Sequence, residues 1–304
     1  MRLFTFFLFF CYKAKYIETL CYTLAIQKSC IANVNCQTGS YRYLFNTKRN
    51  QHKLNIRLKA PLAVRQVFLI AYLTGFLWLR RNPMSMVFTA ISPFSLLFVL
   101  FVISNGQYVQ FAVTGSLVMA LVGYGLALGQ DISFYKTEYK IQDVFVASPV
   151  SPLTYMTGLS LSELLFGLPA LIVLIILVMS FGTSITNFPL LFSNIFLIWG
   201  AMSAMGFFLS SHMVHMRNAT QLISFVNVIL AVIPPVYYSI DRLPLALQYL
   251  SYAVPTTHAS IIVQYTMGLP TPKEWSVPLG VGVQIAYLIG LVILAKKKAM
   301  WREH

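Results

Sequence analysis

Residues 164–211 read LLFGLPALIVLIILVMSFGTSITNFPLLFSNIFLIWGAMSAMGFFLSS and contain no charged side chain. A helix needs about 20 mostly apolar residues to cross a bilayer. This run has room for two such helices, with residues 182–187 as the turn between them. Its length also argues against a membrane β-barrel, whose strands alternate over segments of about ten residues. The run therefore predicts two transmembrane helices, because a segment in lipid must bond its own backbone.

The rest of the chain has the same character. Hydrophobic residues make up 58% and charged residues 10% of the sequence, whereas a soluble domain carries roughly 25% charged residues. We predict an all-α polytopic membrane protein with six transmembrane helices. The predicted spans are residues 84–103, 108–130, 154–181, 188–211, 218–238 and 275–295.

The distribution of lysine and arginine predicts the orientation of these spans. With six spans, one side of the membrane receives Arg57, Lys59, Arg65, Arg80, Arg81, Lys136, Lys140, Arg217, Lys296, Lys297, Lys298 and Arg302. The other side receives only Arg242 and Lys273. Because cationic loops stay in the cytoplasm, we expect both termini to be cytoplasmic in a multi-pass plasma membrane protein. The net charge of +14 is then explained by topology and anionic lipid rather than by nucleic acid.

Two uncharged segments are too short or too interrupted to be counted as spans. Residues 66–79 form a run of 14 positions between Arg65 and Arg80, which favours a helix lying in the membrane interface over a buried re-entrant segment. Residues 243–272 are broken by four prolines at positions 244, 255, 270 and 272. The prolines divide this segment into pieces that are too short to cross the bilayer. Such pieces predict short re-entrant or interfacial helices on the external side.

Residues 1–56 differ from the rest of the chain. All four cysteines lie there, at spacings that fit no zinc site, and no signal-peptide cleavage pattern follows the short apolar start. We expect translation to begin downstream of Met1, near residues 54–62, so that this atypical extension is not made. A genuine cytoplasmic arm is the alternative.

The segment between the second and third spans, residues 131–152, is polar and amphipathic. It carries charges of both signs with Phe134, Val144 and Phe145 interleaved, and residues 148–149 (SP) end any helix there. One interpretation is a helix that contacts a soluble partner; the other is a solvated loop with local ion pairs. The residues we assign to partner contact are Lys136, Glu138, Tyr139, Lys140, Ile141 and Asp143.

The sequence contains little that supports catalysis. It has no Gly-x-x-x-x-Gly-Lys-Ser/Thr loop, so the chain has no P-loop of its own. His212 and His215 can share a helix face, but no acid or cysteine lies near them, and we interpret them as flanking residues. Glu163 is an acid inside a predicted span. We expect it to make a structural ion pair with Arg80, Arg81 or Arg217, or else to line an internal cavity.

Several motifs resemble the membrane subunit of ABC-2 type exporters. These are residues 79–83 (LRRNP) before a span with SP at 92–93, residues 147–155 (ASPVSPLTY) followed by Gly158, and three late stretches. The late stretches are PPVYY at 234–238, LPL at 243–245 and YAVPTTH at 252–258. Together they extend over about residues 60–300 in the order of that family, with residues 57–83 as a connecting helix and 84–304 as the transmembrane domain.

This resemblance implies an export permease whose residues 131–152 include a coupling helix. The partner would be a separate ATPase subunit that holds ATP and Mg²⁺, so we expect no cofactor, no metal and no catalytic residue in this chain. Two permease subunits, identical or different, would form the pathway. A hydrophobic or amphipathic substrate would suit the aromatic content of 14%.

Two other classes of protein were weighed. An ion- or proton-coupled secondary transporter is expected to show several intramembrane ionisable groups and repeated halves, but only Glu163 qualifies and no repeat is evident. A lipid-modifying membrane enzyme needs clustered His, Asp or Glu at the cytoplasmic face, and the loops are too sparse for that.

Overall fold

The computed structural model describes residues 60–103, 105–106, 108–148, 150–180, 185–270 and 276–298, and these fall within one compact unit. All regular elements in these ranges are helical. The predictions for residues 1–56 lie outside the described residues. The α-helices are α1 Ala60–Ala71, α2 Leu77–Arg81, α3 Pro83–Ile103, α4 Val109–Thr137, α5 Ile141–Ala147, α6 Pro152–Ser180, α7 Phe188–Ser211, α8 Met216–Val232, α9 Leu245–Tyr252, α10 Pro255–Thr266 and α11 Ser276–Lys298.

Among the described residues, four helices are long and apolar enough to cross a membrane, namely α4, α6, α7 and α11. The 17-residue helix α8 is apolar but shorter. The 21-residue helix α3 occupies the position of the first predicted span. The structure therefore places a helix at each of the six predicted spans, and it confirms the all-helical membrane class, while the crossing of all six stays a proposal.

Contacts between the long helices fix their relative directions. α4 and α7 run parallel, because Gly125 meets Met202 and Gly129 meets Gly206. α6 runs antiparallel to α4, since Glu163 bonds Asp131 while the later Gly167 meets the earlier Tyr124.

The remaining directions follow in the same way. α8 is antiparallel to α4, because Ile223 contacts Gly129 near the C-terminal part of α4, while Tyr237, beyond α8, contacts Gly115. α11 is parallel to α7, with Gln284 bonded to Asn194 and Leu288 next to Gly200. The C-terminal ends of α4, α7 and α11 therefore share one end of the bundle with α5, here called the α5 end. The other end carries α10 and is called the α10 end.

The core lies along α4, whose side chains are buried on nearly every face. Val113, Leu117 and Leu121 are each 0% exposed. The backbones of α4 and α7 approach each other closely where both helices have a glycine. A Cβ placed on Gly129 would lie 2.5 Å from the carbonyl oxygen of Gly206. Two hydroxyl pairs reinforce the contacts with α7, Ser133 with Ser210 at 2.7 Å and Ser160 of α6 with Ser203 at 2.7 Å. α4 is thus the central helix of the bundle.

The predicted interface helix forms α1 and α2, joined by a π-helical segment at Tyr72–Phe76. The π-helical segment packs on α6 through Gly75, which lies against Ser162. α1 packs on α6 through Ile70, which lies against Gly158. The outer face stays exposed and apolar, with Phe68 at 62% and Trp78 at 49% exposure. One face of this helix packs on protein and the other exposes apolar side chains. This arrangement is consistent with a position at the membrane interface.

Two predicted helix ends differ from the structure. The second span was predicted to end at residue 130, but α4 continues to Thr137 because residues 131–137 keep helical packing and include no proline or glycine. The fifth was predicted to reach residue 238, but α8 ends at Val232. Pro234 and Pro235 have no backbone N–H and cannot continue the hydrogen-bonding pattern of the helix.

Candidate coupling surface and buried polar sites

The loop between α4 and α6 is built around a sharp change of direction. Helix α4 ends where the backbone amides of Glu138 and Tyr139 both donate to the carbonyl of Phe134, at 3.0 and 3.3 Å. Lys140 then adopts a left-handed backbone conformation, with φ of 51°, which interrupts the helix. Helix α5 starts at the next residue, Ile141. The six residues predicted to contact a partner therefore form one continuous segment over the end of α4, the turn and the start of α5.

Helix α5 is held on the bundle by one aromatic contact. Phe145 is 3% exposed and its ring centroid lies 4.8 Å from that of Tyr155, which is 0% exposed, in the first turn of α6. Gln142, one turn earlier, is 7% exposed. Movement of α5 would therefore be transmitted to α6 through these rings.

The other side of this segment faces outward. Glu138, Lys140 and Asp143 are exposed, while Lys136 and Tyr139 are half-buried. Tyr139 packs edge-on against Phe134, with ring centroids 4.6 Å apart. The α5 end thus presents charges of both signs on a segment whose inner face is fixed.

The proline-containing motif at residues 147–152 caps both neighbouring helices. The Ser148 hydroxyl donates to the carbonyl of Phe145 at 2.7 Å and closes α5. The Ser151 hydroxyl oxygen accepts from the backbone amide of Thr154 at 3.1 Å, which caps the N-terminus of α6. Pro152 occupies the first position of α6, where its missing N–H has no cost. The motif therefore ends α5 and begins α6 with one serine hydrogen bond each.

Glu163 lies deeper in the bundle, 8% exposed, and its side chain is hydrogen-bonded to Asp131 of α4. Because ionised carboxylates only accept, this bond needs a proton on one of the two groups. Tyr155 lies close enough to Asp131 to feel its charge. The pair therefore sits behind the aromatic contact that holds α5.

Asp131 was not assigned as a partner of Glu163 from the sequence. The second span was expected to end at residue 130, which placed Asp131 in the loop; the extra helical turns of α4 turn it toward α6. The ion pair between Glu163 and an arginine, and its position in a cavity, stay predictions.

A second polar cluster lies near the α10 end, between α7, α10 and α11. The amide of Gln284 donates to the side-chain oxygen of Asn194 at 2.6 Å, and Asn194 donates to the carbonyl of Ala259 at 3.2 Å. Nε2 of His258 lies 2.9 Å from the carbonyl of Tyr252. Asn194, His258 and Gln284 are each at most 2% exposed. No pattern in the sequence groups these residues, since they come from three separate helices.

Two tyrosines and His258 in this end of the molecule have shifted pKa values. Burial lowers the pKa of His258, and its bond to the Tyr252 carbonyl partly offsets this. Burial and the negative charge of Asp241 raise the pKa of Tyr252, and burial raises that of Tyr237. The cluster is thus a low-dielectric region that favours neutral side chains.

No group of three or more His, Cys, Asp or Glu side chains suited to a metal ion occurs among the described residues. His212 is exposed at the end of α7, and its Nδ1 lies 2.9 Å from the carbonyl of Phe208. His215 is exposed and immediately precedes α8. These positions agree with the interpretation of both histidines as flanking residues.

A sequence model of the ABC-2 type transporter family matches residues 65–267, which include residues 136–143, both serine caps and α10. The chain belongs to the ABC-2 type transporter family. A comparison with curated proteins gives no match. ABC-2 permeases are normally non-catalytic membrane subunits that work with an ATPase subunit, and this chain is accordingly a multi-pass membrane protein of a transport system.

Proposed function

We propose that this chain is the membrane subunit of an ATP-driven exporter, and that α5 is the helix through which a separate ATPase subunit acts on it. The observation that carries the proposal is the two-sided character of α5 and the turn before it, residues 138–147. Its Phe145 is fixed against Tyr155 of α6, while Glu138, Lys140 and Asp143 face outward. The inner face of this segment is packed on the bundle and its outer face is charged. Such a segment is suited to dock to a soluble partner and to transfer the partner's motion to the bundle.

In this proposal α3, α4, α6, α7, α8 and α11 all cross the plasma membrane. The α5 end is cytoplasmic, because Lys296 and Lys297 of α11 lie at the end of the bundle that carries α5, in keeping with the positive-inside rule. The α10 end is then external. A hydrophobic or amphipathic substrate leaves through that end when the partner hydrolyses ATP.

The exposed face of α8 supports the pairing of two such subunits. Arg217, Gln221 and Ser224 follow each other at helical spacing and are all exposed, followed by Val228 at 57% exposure. Polar side chains facing lipid are unfavourable, so this stripe fits a protein interface or a water-filled path better. We assign it to the pathway between two permease subunits, which are either copies of this chain or a related one.

The test is co-purification with the ATPase subunit and measurement of its activity. Reversing the charges of Glu138, Lys140 and Asp143 together should weaken the association or uncouple ATP hydrolysis from transport, with membrane insertion unchanged. Reversal of Asp241, exposed at the α10 end, is the matched control. Unchanged association and transport in the triple variant would exclude α5 as the docking element.

The hydrogen-bonded pair of Asp131 and Glu163 favours one other candidate, a proton-coupled secondary transporter, because intramembrane acids mark proton pathways. The two candidates differ in energy source. Transport by the exporter depends on ATP and persists when a protonophore collapses the proton gradient, whereas transport by a proton-coupled carrier stops with the gradient.

A further inference from the structure

Helix α10 joins most of the elements at its end of the bundle through polar contacts. Thr256 donates to the carbonyl of Leu230 in α8 at 3.2 Å, and Ala259 accepts from Asn194 of α7 at 3.2 Å. The carbonyl of Thr266 accepts from the backbone amide of Thr186, just before α7, at 2.9 Å. Displacement of α10 would therefore loosen this whole end of the molecule.

His258 is the one histidine of α10, and its hydrogen bonds show which nitrogen carries the proton. A carbonyl oxygen only accepts, so the 2.9 Å contact with Tyr252 requires a proton on Nε2. In the neutral ring Nδ1 is then a bare acceptor. It is buried, and among the described residues it has no hydrogen-bond partner.

The neighbouring helix α11 brings a second acceptor to the same interface. A Cβ at Gly280 would lie 3.5 Å from Nδ1 of His258, so the ring packs directly on the α11 backbone at this glycine. Gln284 follows one helical turn later, on the same face. Its Nε2 is committed to Asn194, which leaves Oε1 buried and, within the described part of the chain, without a partner.

Among the described residues, the surroundings of His258 contain no charge that could stabilise an imidazolium. The facing titratable groups are Tyr252 of α9, whose ring centroid is 5.9 Å away, and Tyr287 of α11, which donates to the carbonyl of Ala253. From α7 the facing polar group is the neutral Asn194. The charged residues of α4, Asp131 and Lys136, lie toward its α5 end, and Asp241 acts on Tyr252.

We propose that His258 is a proton-binding site that acts as an acid-sensitive latch, so that proton uptake releases α10 from α11 and loosens the α10 end. The packed arrangement holds a neutral ring at 2% exposure. A proton on Nδ1 places a positive charge in a region that offers only the neutral oxygen of Gln284. Hydration of that charge requires α10 to move away from Gly280.

The direction of the pH effect follows from linkage. Burial lowers the pKa of His258 in the packed state, whereas a released histidine titrates at about 6.5. The packed state is therefore fully favoured above about pH 6.5 and loses stability as pH falls below that value toward the lowered pKa. External acid would open the substrate exit, a consequence that rests on the proposed orientation of the exporter.

The first experiment measures thermal unfolding of the purified protein in detergent, from about pH 8 down to about pH 5, the range over which histidines change charge. His258→Gln is expected to lose less stability on acidification than the wild type, because the amide keeps the bond to Tyr252 but takes up no proton. His212→Gln, at an exposed histidine, is the control and should follow the wild type. Equal acid sensitivity of His258→Gln and wild type would overturn the latch.

The second experiment measures movement of α10 directly. Ser260→Cys probes a position that is 1% exposed, and Tyr265→Cys probes a position on the same helix that is 42% exposed. The ratio of their labelling rates should rise in acid, and it should not rise in the His258→Gln background. A constant ratio in the wild-type background contradicts release of α10.

Histidine-labelled wild-type protein gives an independent check by NMR, with His258→Gln used only to assign the resonance. Titration of His258 at or above its ordinary value contradicts the latch. In proteoliposomes, acid applied to the external side alone should give the labelling response. A response to internal acid alone would reverse the proposed orientation but leave the latch intact.

Discussion

At the residue scale, Gly129 marks the closest approach of α4 and α7. A Cβ there would lie 2.5 Å from the Gly206 carbonyl and 2.6 Å from Cδ1 of Ile223. We expect Gly129→Ala to destabilise the protein by about 1–3 kcal/mol, the usual cost of overpacking, because the Gly206 backbone cannot move without separating the helices. Thermal unfolding in detergent measures this.

Gly123, two turns earlier in α4, gives the control. Among the described residues, nothing beyond the local backbone of α4 lies within 4 Å of a Cβ placed there, so Gly123→Ala should be neutral or stabilising by up to about 1 kcal/mol through helix propensity. Equal losses in both variants would show that the close contact with α7 does not decide the effect.

The hydrogen bond between Glu163 and Asp131 makes a prediction about conservative substitution. Glu163→Gln can still donate to the Asp131 carboxylate, so we expect near wild-type stability. Glu163→Ala leaves Asp131 without this partner and should cost about 1–3 kcal/mol. If the two variants unfold at the same temperature, the bond contributes nothing. A loss in Glu163→Gln that neutralising an arginine restores would instead support the predicted ion pair.

At the scale of elements, the attachment of α5 to the bundle can be tested without changing the charged surface that is proposed to contact the partner. Phe145→Ala removes the ring that packs on Tyr155 but leaves Glu138, Lys140 and Asp143 in place. We expect the ATPase subunit to bind with little change while ATP hydrolysis no longer drives transport, because motion of α5 does not reach α6. Phe225→Ala, at a ring that is 62% exposed on α8, controls for loss of a phenyl group. Full coupling in Phe145→Ala would contradict this route.

The short helices α9 and α10 show that the sequence can predict where an element begins but not how deeply it is buried. Prolines at 244 and 255 predicted short pieces, and α9 and α10 begin at Leu245 and Pro255. The sequence did not predict that α10 would be almost entirely buried with its threonines and His258. Those polar side chains are stable inside only because carbonyls of α8, α9 and the turn after α8 accept their hydrogen bonds.

At the scale of the whole molecule, the directions of the helices predict which ends can be labelled. In a variant that lacks the four native cysteines, single cysteines at Asn105 and Tyr249 should react with an impermeant maleimide from outside. Ala147→Cys at the end of α5 should react only after permeabilisation. All three positions are exposed. Labelling of Ala147→Cys in intact cells would invert the proposed orientation.

The sequence by itself determined the membrane class, the positions of the long helices and the segment assigned to partner contact. These depend on local properties, since an uncharged run in lipid must form a helix and a proline must end one. The residues predicted to contact a partner were chosen because charge, aromatic rings and a terminating proline occur together along the chain, and their role stays a prediction.

Only the tertiary structure decided which distant residues meet. Asp131 and Glu163, Ser133 and Ser210, and Asn194 with His258 and Gln284 come from different helices, and a single sequence does not encode the rotation of one helix against another in any local pattern. That rotation is set by close packing, such as Gly129 against Gly206, together with hydrogen bonds between buried polar side chains of different helices. The contact between Phe145 and Tyr155, which joins the coupling segment to the bundle, follows from the same packing.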